Sequence, residues 1–445
     1  MNWNQLLSSK RTGETDSQKI IHDRTQFQRD YDRLIFSSPF RRMQDKTQVF
    51  PLPGSIFVHN RLTHSLEVAS VGRSLGNNIS RFLSENNITQ NPLVKELGSV
   101  TAAACLAHDM GNPPFGHSGE KAISLFFKSG EGERYKNLIN NESVWDDFTD
   151  FEGNANALRL LTHQFAGRRR GGFNLTYTTV ASIVKYPYAS GTPERKKYGY
   201  FQPEHQTWQQ IVNELGIRKI SDKPEIYARH PLVYLVEAAD DICYHLMDIE
   251  DAHKLGILST ETTRHHFMQF FDADSEKKSL DYIHSICNEV TDANEQIAFL
   301  RALVIGKLVD ACSEVFRENH EQILQGEFSG SLIGKLSGTL ATAMKACEKT
   351  GFETIYKHPS VVEIEIAGFK ILGTLLREFC HAVMHPDDYY AKLLLPFIPQ
   401  QYRVADNAPV PQKLQTVLDF ISGMTDVYAL NLYRKINGMG LSDKR

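Results

Sequence analysis

Leu93, Leu97, Val100, Ala104 and Ala107 recur at the spacing of one helix face, and the run then breaks into His108-Asp109-Met110-Gly111-Asn112-Pro113-Pro114. An apolar helix that must stop where a histidine and an aspartate emerge side by side suggests a metal site. The C-terminal end of a helix is electrically negative and favours a cation. Neighbours on a helix point about 100° apart, yet a long imidazole and a short carboxylate can still converge on one ion placed off the helix end. An isolated His-Asp pair is more often a core histidine beside a helix-terminal aspartate, so other residues must decide.

Two do. His64 stands in Arg61-Leu62-Thr63-His64-Ser65-Leu66-Glu67, near the start of a second amphipathic pattern that runs through Leu62, Leu66, Ala69, Leu75, Ile79 and Phe82. Asp240, in Glu237-Ala238-Ala239-Asp240-Asp241-Ile242-Cys243-Tyr244, stands on a third, marked by Leu232, Val236, Ala239, Cys243 and Leu246. A His, a His-Asp pair and an Asp, each on its own helix, resemble the ligand set of the HD metal-dependent phosphohydrolases. The resemblance implies a metal held by His64, His108, Asp109 and Asp240. Two imidazoles and two carboxylates suit Mg²⁺ or Mn²⁺, and also Fe²⁺, Zn²⁺ or Ni²⁺, without naming one. Spacing alone leaves Asp240 and Asp241 both open. The family motif places the ligand at the first, and Asp240 shares a stripe with Glu237 and Tyr244.

The resemblance narrows further along the chain. The segment from Phe27 to Ser38, the segment from Phe40 to Phe50, and the run from Ala107 through Phe115-Gly116-His117 to Glu120 are similar to the deoxyguanosine triphosphate triphosphohydrolase family. So are Phe151-Glu152-Gly153-Asn154-Ala155, Leu175-Thr176-Tyr177, Lys185-Tyr186-Pro187, Glu237 to Tyr244, and Ser422-Gly423-Met424-Thr425-Asp426, all in the family's order. This implies an all-α fold, an HD-domain helical phosphohydrolase core with additional helices and at most a short β-hairpin. It also implies hydrolysis of deoxynucleoside triphosphates, dGTP among them, to a deoxynucleoside and inorganic triphosphate. A regulatory nucleotide and a homo-oligomer, a hexamer or a smaller even-numbered assembly, are implied as partners. Competing functions are a nucleotidase or phosphodiesterase using the same metal, and a nucleotide-sensing binding protein whose hydrolysis is incidental.

Breaking a phosphate ester needs a proton for the leaving oxygen and an oriented or deprotonated water. His117 and Glu120, spaced i, i+3 at a helix start, share one face, so Glu120 can orient the imidazole and balance its charge. Read alone, they are more often a helix-start carboxylate and a histidine packed against Pro113 and Phe115; the resemblance reverses that and places them at the scissile phosphate as the acid–base pair. Arg61 precedes His64 by one turn and Tyr244 follows Asp240 by one turn, so both can reach the metal side of their helices for substrate binding. Lys185 sits where the family has a basic contact to the triphosphate. Gln48 is the candidate for the sugar, because its amide both donates and accepts as a 3'-hydroxyl requires.

The 445 residues carry no Ser/Gly- or Pro-rich linker between residues 64 and 240, which favours one large helical domain, with the HD core over roughly 55–255 and a helical C-terminal extension over 256–445. Hydrophobic residues at 41% supply a large core, and 23% charged residues a solvated surface. A net charge of -4 does not indicate a nucleic-acid-binding surface. Arg41-Arg42, Arg168-Arg169-Arg170 and Arg195-Lys196-Lys197 could meet phosphates, with solvated surface the default reading of each. No stretch is long and apolar enough to span a bilayer, and the start Met1-Asn2-Trp3-Asn4-Gln5 is polar, so a cytoplasmic location is expected. Six scattered cysteines read as buried reduced thiols. Helices are expected over Arg24 to Ile35 and, with few breaks, over Ser279 to Phe316. A short extended piece is expected at Thr47 to Gly54, a loop at Gly191 to Phe201, and irregular chain at 386–412.

Overall fold

A computed structural model describes residues 1–13, 23–50 and 58–439. The Leu97–Ala107 helix is the centre of the molecule, with every residue except Ser99 buried. A helix apolar all round must be enclosed by others. The Arg61–Glu85 helix lies along it, with the Gln26–Ile35 and Pro231–Lys254 helices packed alongside. The Arg61–Glu85 and Leu97–Ala107 helices meet closely at a glycine: a Cβ at Gly76 would lie 2.6 Å from the carbonyl oxygen of Leu97, so any larger residue would push the two helices apart.

Local chemistry sets the helix starts. Asn60 and Thr63 form a capping box at the head of Arg61–Glu85, and Thr25 and Gln28 form another before Gln26–Ile35. Pro231 occupies the first position of Pro231–Lys254, where its missing N–H costs nothing. The expected helical stretch over 279–316 is two helices, Lys277–Glu289 and Ala293–Glu318. Asp292 caps the second by accepting from the Glu295 amide, and that cap is the reason for the break. The expected irregular segment at 386–412 holds the short Tyr389–Leu394 helix, 3-10 turns at Leu395–Phe397 and Gln400–Tyr402, and the start of the Val410–Ser422 helix. Thr47 pairs with Asn60 in an isolated antiparallel bridge, whereas the turn expected after Phe50 lies outside the described residues. The described strands form one hairpin, Lys219–Asp222 against Glu225–Tyr227, with Asp222 opposite Glu225.

Two apolar cores form. One gathers the N-terminal segment, the four central helices and most of the chain between Leu158 and Val361. The other joins Ala122, Ile123, Phe126 and Phe127 of the Gly116–Lys128 helix to the Pro359–Met384, Val410–Ser422 and Asp426–Ile436 helices. The helix that carries His117 therefore packs on the C-terminal helices and, through Phe127, on Trp145 and Phe148 of the Glu142–Thr149 helix. All six cysteines are free and buried. No helix among the described residues is long and apolar enough to cross a membrane.

Candidate active site

His108 caps the Leu97–Ala107 helix. Its Nδ1 lies 2.6 Å from the Cys105 carbonyl oxygen and donates to it, which directs Nε2 away from the helix, the usual way a second-shell bond fixes a metal-ligating imidazole. Nε2 is buried without a hydrogen-bond partner, 3.4 Å from Asp240 Oδ1 and 3.7 Å from Asp109 Oδ1. His64 Nε2 lies 3.0 Å from the same Asp240 oxygen, and the two imidazole rings are 5.4 Å apart, edge to face. His64, His108 and Asp109 each turn a ligand atom to within 4.8 Å of the others. A buried imidazole nitrogen left unpaired among carboxylates suits a divalent cation held by these four side chains. Asp240, not Asp241, makes the contacts to both histidines.

The charges agree with that reading. Burial opposes ionisation of Asp240, but His108 and His64 outweigh it and hold its carboxyl well below the usual range. Burial likewise opposes ionisation of Asp109, and Arg61, His108 and His64 reverse the effect. Arg61 Nη1 donates to Asp109 Oδ2 at 2.6 Å, and Asn112 Nδ2 donates to Asp109 Oδ1 at 2.5 Å. Burial pushes the His108 imidazole down, yet Asp109 and Asp240 raise it to about 9. Asp241, next to this cluster, is pushed up to about 7 by burial and by Asp240.

His117 and Glu120 meet as the i, i+3 spacing requires. His117 Nδ1 lies 2.8 Å from Glu120 Oε2, and the Gly153 amide donates to Glu120 Oε1 at 2.8 Å. Burial would raise the Glu120 carboxyl; the His117 hydrogen bond, then Lys197 and the Gly153 amide, bring it below its ordinary value. Glu120 is thus an anion facing the imidazole, while the His117 side chain is 71% exposed to the cavity. The turn between Asp109 and His117 needs Gly111, where a Cβ would lie 2.2 Å from both the Ala157 nitrogen and the Gly153 carbonyl oxygen.

Apart from His64, which lies behind the wall, these groups line one cavity of about 1130 Å³, just above the usual range of small-molecule sites and roomy enough for a whole nucleotide. Gln48, Arg61, Lys185, Tyr244, His117 and Glu120 all line it, so the sequence-expected residues converge on a single space. Gln48 Oε1 is buried without a partner, an acceptor with unused capacity at the wall. Lys185 is not free to act alone: its Nζ pairs with Glu237 Oε1 at 3.0 Å, and Arg229 pairs with the other oxygen of Glu237 at 3.0 Å. Burial lowers the Lys185 ammonium's pKa, but Glu237 outweighs it and keeps the group cationic.

Residues 61–182 match the HD domain, and residues 335–435 match a phosphohydrolase-associated domain. A deoxyguanosinetriphosphate triphosphohydrolase-like protein of Synechocystis is 37% identical, over 99% of this chain and all of the relative. The chain belongs to this triphosphohydrolase-like family. A protein of the same name from Pseudomonas aeruginosa is 35% identical over 98% of this chain, and a deoxyguanosinetriphosphate triphosphohydrolase of Yersinia pseudotuberculosis is 29% identical over 92%. As a member of the family and a carrier of the HD domain, the chain is a metal-dependent hydrolase.

Some residues in the cavity wall and behind it escaped the sequence reading. Asp248 continues the stripe of Asp240 and Tyr244 by one more turn, a signal that was there to be used. Burial, with Asp251 and Asp240 nearby, pushes its carboxyl up to about 8, and it accepts the Tyr356 hydroxyl at 2.6 Å. Tyr356 lies beyond a π-helical turn at Gly351–Ile355, with its ring 6.0 Å from that of Tyr244; nothing in the local sequence marks it. Burial and Asp248 push the Tyr244 phenol up, so it remains a neutral hydroxyl. Lys196 and Lys197, read first as solvated surface, line the same cavity, and Lys197 lies 3.8 Å from Glu152. Both lysines are exposed, so the solvated-surface reading holds while they also line the cavity.

Proposed function

We propose that the protein hydrolyses deoxynucleoside triphosphates, dGTP among them, to a deoxynucleoside and inorganic triphosphate, by attack of water at the α-phosphorus with the 5'-oxygen leaving. The observation that carries this reading is one cavity with two neighbouring devices: a His64/His108/Asp109/Asp240 cluster suited to a divalent cation, and a separate His117–Glu120 pair with its imidazole open to substrate. The names of the full-length relatives support the same substrate class. Mg²⁺ or Mn²⁺ fits the donor set in use, with Fe²⁺, Zn²⁺ and Ni²⁺ also compatible. When bound, the metal supplies Lewis-acid stabilisation of the charge on the transferring phosphoryl group.

The chain's own residues do the rest. Glu120 accepts from His117 Nδ1, fixes the ring orientation and stabilises the imidazolium, leaving Nε2 to exchange a proton with the water or the leaving 5'-oxygen. Arg61, anchored on Asp109, presents its guanidinium to the phosphates beside the cluster. Lys185 adds positive charge at the wall, held in place by Glu237. Tyr244, kept neutral, donates a hydrogen bond without bringing charge. Gln48 offers its unpaired oxygen to a 3'-hydroxyl. A homo-oligomer and a regulatory nucleotide belong to the same proposal, and light scattering with and without a second nucleotide checks both.

Product analysis tests the reaction. Each of the four deoxynucleoside triphosphates, incubated with Mg²⁺ or Mn²⁺, is expected to yield deoxynucleoside and tripolyphosphate in equal amounts. Release of orthophosphate or pyrophosphate instead, or a preference for monophosphates or cyclic dinucleotides, would overturn the proposal.

A further inference from the structure

The region over 335–435 reaches the site from outside at several points. Asp426, at the start of the Asp426–Ile436 helix, is buried, and its carboxylate accepts two backbone amides: Thr47 N–H at 2.8 Å on Oδ2 and Phe115 N–H at 3.0 Å on Oδ1. Thr47 immediately precedes Gln48, and Phe115 precedes Gly116-His117. Lys46, fully enclosed, donates to the Asn112 carbonyl at 2.6 Å and to the Ser422 carbonyl at 2.8 Å. Phe115 itself has φ 63° and ψ 19°, a left-handed conformation uncommon for a residue with a side chain. Its ring packs on Gly368 of the Pro359–Met384 helix, where a Cβ would lie 2.8 Å from Phe115 Cβ and Cγ.

A left-handed phenylalanine persists only when its surroundings over-determine it. Here the surroundings are a carboxylate on its amide and a glycine under its ring, both from the C-terminal region. The same carboxylate holds the segment that carries Gln48. We infer that Asp426 is a positioning residue, a clasp that sets the Gln48 segment and the His117 corner in register with each other, so that the phosphohydrolase-associated region is a working part of the site. The inference rests on the roles of Gln48 and His117 given above. It needs a side chain with two oxygens, since each amide takes one. Asparagine offers only one, and its NH₂ would face a second donor.

The test compares the full-length chain with Asp426→Asn and Asp426→Ala. Hydrogen exchange should quicken in peptides covering residues 43–50 and 110–118 together, with the metal content unchanged. Turnover of dGTP should fall about 10- to 100-fold, the effect of a small misplacement of reacting groups, with a smaller loss in Asp426→Asn. The preference for dGTP over its 3'-deoxy analogue should shrink in parallel. In a His117→Ala background, adding Asp426→Asn should slow turnover no more than about 2-fold, because the clasp acts on the rate through His117. Exchange confined to one of the two segments, or a lower melting temperature with the 3'-hydroxyl preference and the exchange of both segments unchanged, overturns the inference. If the wild-type chain releases no triphosphate while both segments loosen in Asp426→Asn, the clasp stands and the proposed reaction fails.

Discussion

Replacing His117 by alanine separates chemistry from binding. The side chain is 71% exposed and makes one hydrogen bond, to Glu120, which keeps the Gly153 amide as a second partner. Removing it opens no cavity but takes from the largely buried Glu120 carboxylate its main partner, leaving the Gly153 amide and Lys197, so stability should fall by about 1–3 kcal/mol while the fold is retained. None of the four proposed metal ligands touches it, so bound metal should be retained. A positioned acid or base contributes about 10²–10⁴-fold, equivalent to about 3–5 kcal/mol of barrier, and single-turnover release of triphosphate should slow by that factor. Glu120→Gln sharpens the test. Its carbonyl oxygen can still accept from Gly153, but its NH₂ then faces His117 Nδ1, which obliges the ring to accept there and to carry its proton on Nε2. The nitrogen presented to substrate changes from acceptor to donor. Turnover should fall in the same direction as in His117→Ala, and the double variant should be little slower than His117→Ala alone. Elemental analysis and quenched-flow rates decide it: loss of metal in His117→Ala would make the residue a ligand, and a near-normal rate would make it a packing residue.

Alanine at His108 or Asp109 should remove bound metal and hydrolysis together, since a chelate missing one ligand loses both affinity and geometry; full activity from metal-free protein would refute the site. Gln48→Ala should weaken discrimination between substrates with and without a 3'-hydroxyl more than it weakens overall triphosphate affinity, and an unchanged preference in competition assays would count against that role. His59 sits between Asp251 (2.9 Å from Nδ1) and Glu67 (3.2 Å from Nε2). Burial lowers its pKa, but the two carboxylates raise it from 6.5 to about 10. The protonated form is therefore the stabilising one: its contribution is complete below about pH 6.5 and is lost as the pH rises through about 10. Urea midpoints should decline across that window, and His59→Gln should flatten the decline; parallel curves for the two proteins would refute it.

The helices that carry the site, and the residue types on them, were legible from near neighbours. The 3.6-residue apolar period marks the Leu97–Ala107 and Pro231–Lys254 helices, and the Gly/Pro break after Asp109 marks where the first must end. The i, i+3 spacing of His117 and Glu120 already implies their contact, because a helix turn places such residues together whatever surrounds it. Asp248 was one helical turn further on and could have been read in the same way. The break at Asp292 was harder to see, since a cap competes with an apolar period that continues on either side. What the chain could not reveal by itself is which distant groups answer one another. Tyr356 reaches Asp248, Glu237 captures Lys185 and Arg229 together, the loop over 191–201 brings Lys197 to Glu152, and Asp426 holds the amides of Thr47 and Phe115. Sequence determines local conformation and the side chains on offer, because helix geometry acts over a few residues. Only tertiary packing decides these pairings, because burying two apolar cores that interleave the middle and the end of the chain brings together groups from one or two helical turns to hundreds of residues apart, and their ion pairs and hydrogen bonds exist only once that burial is complete.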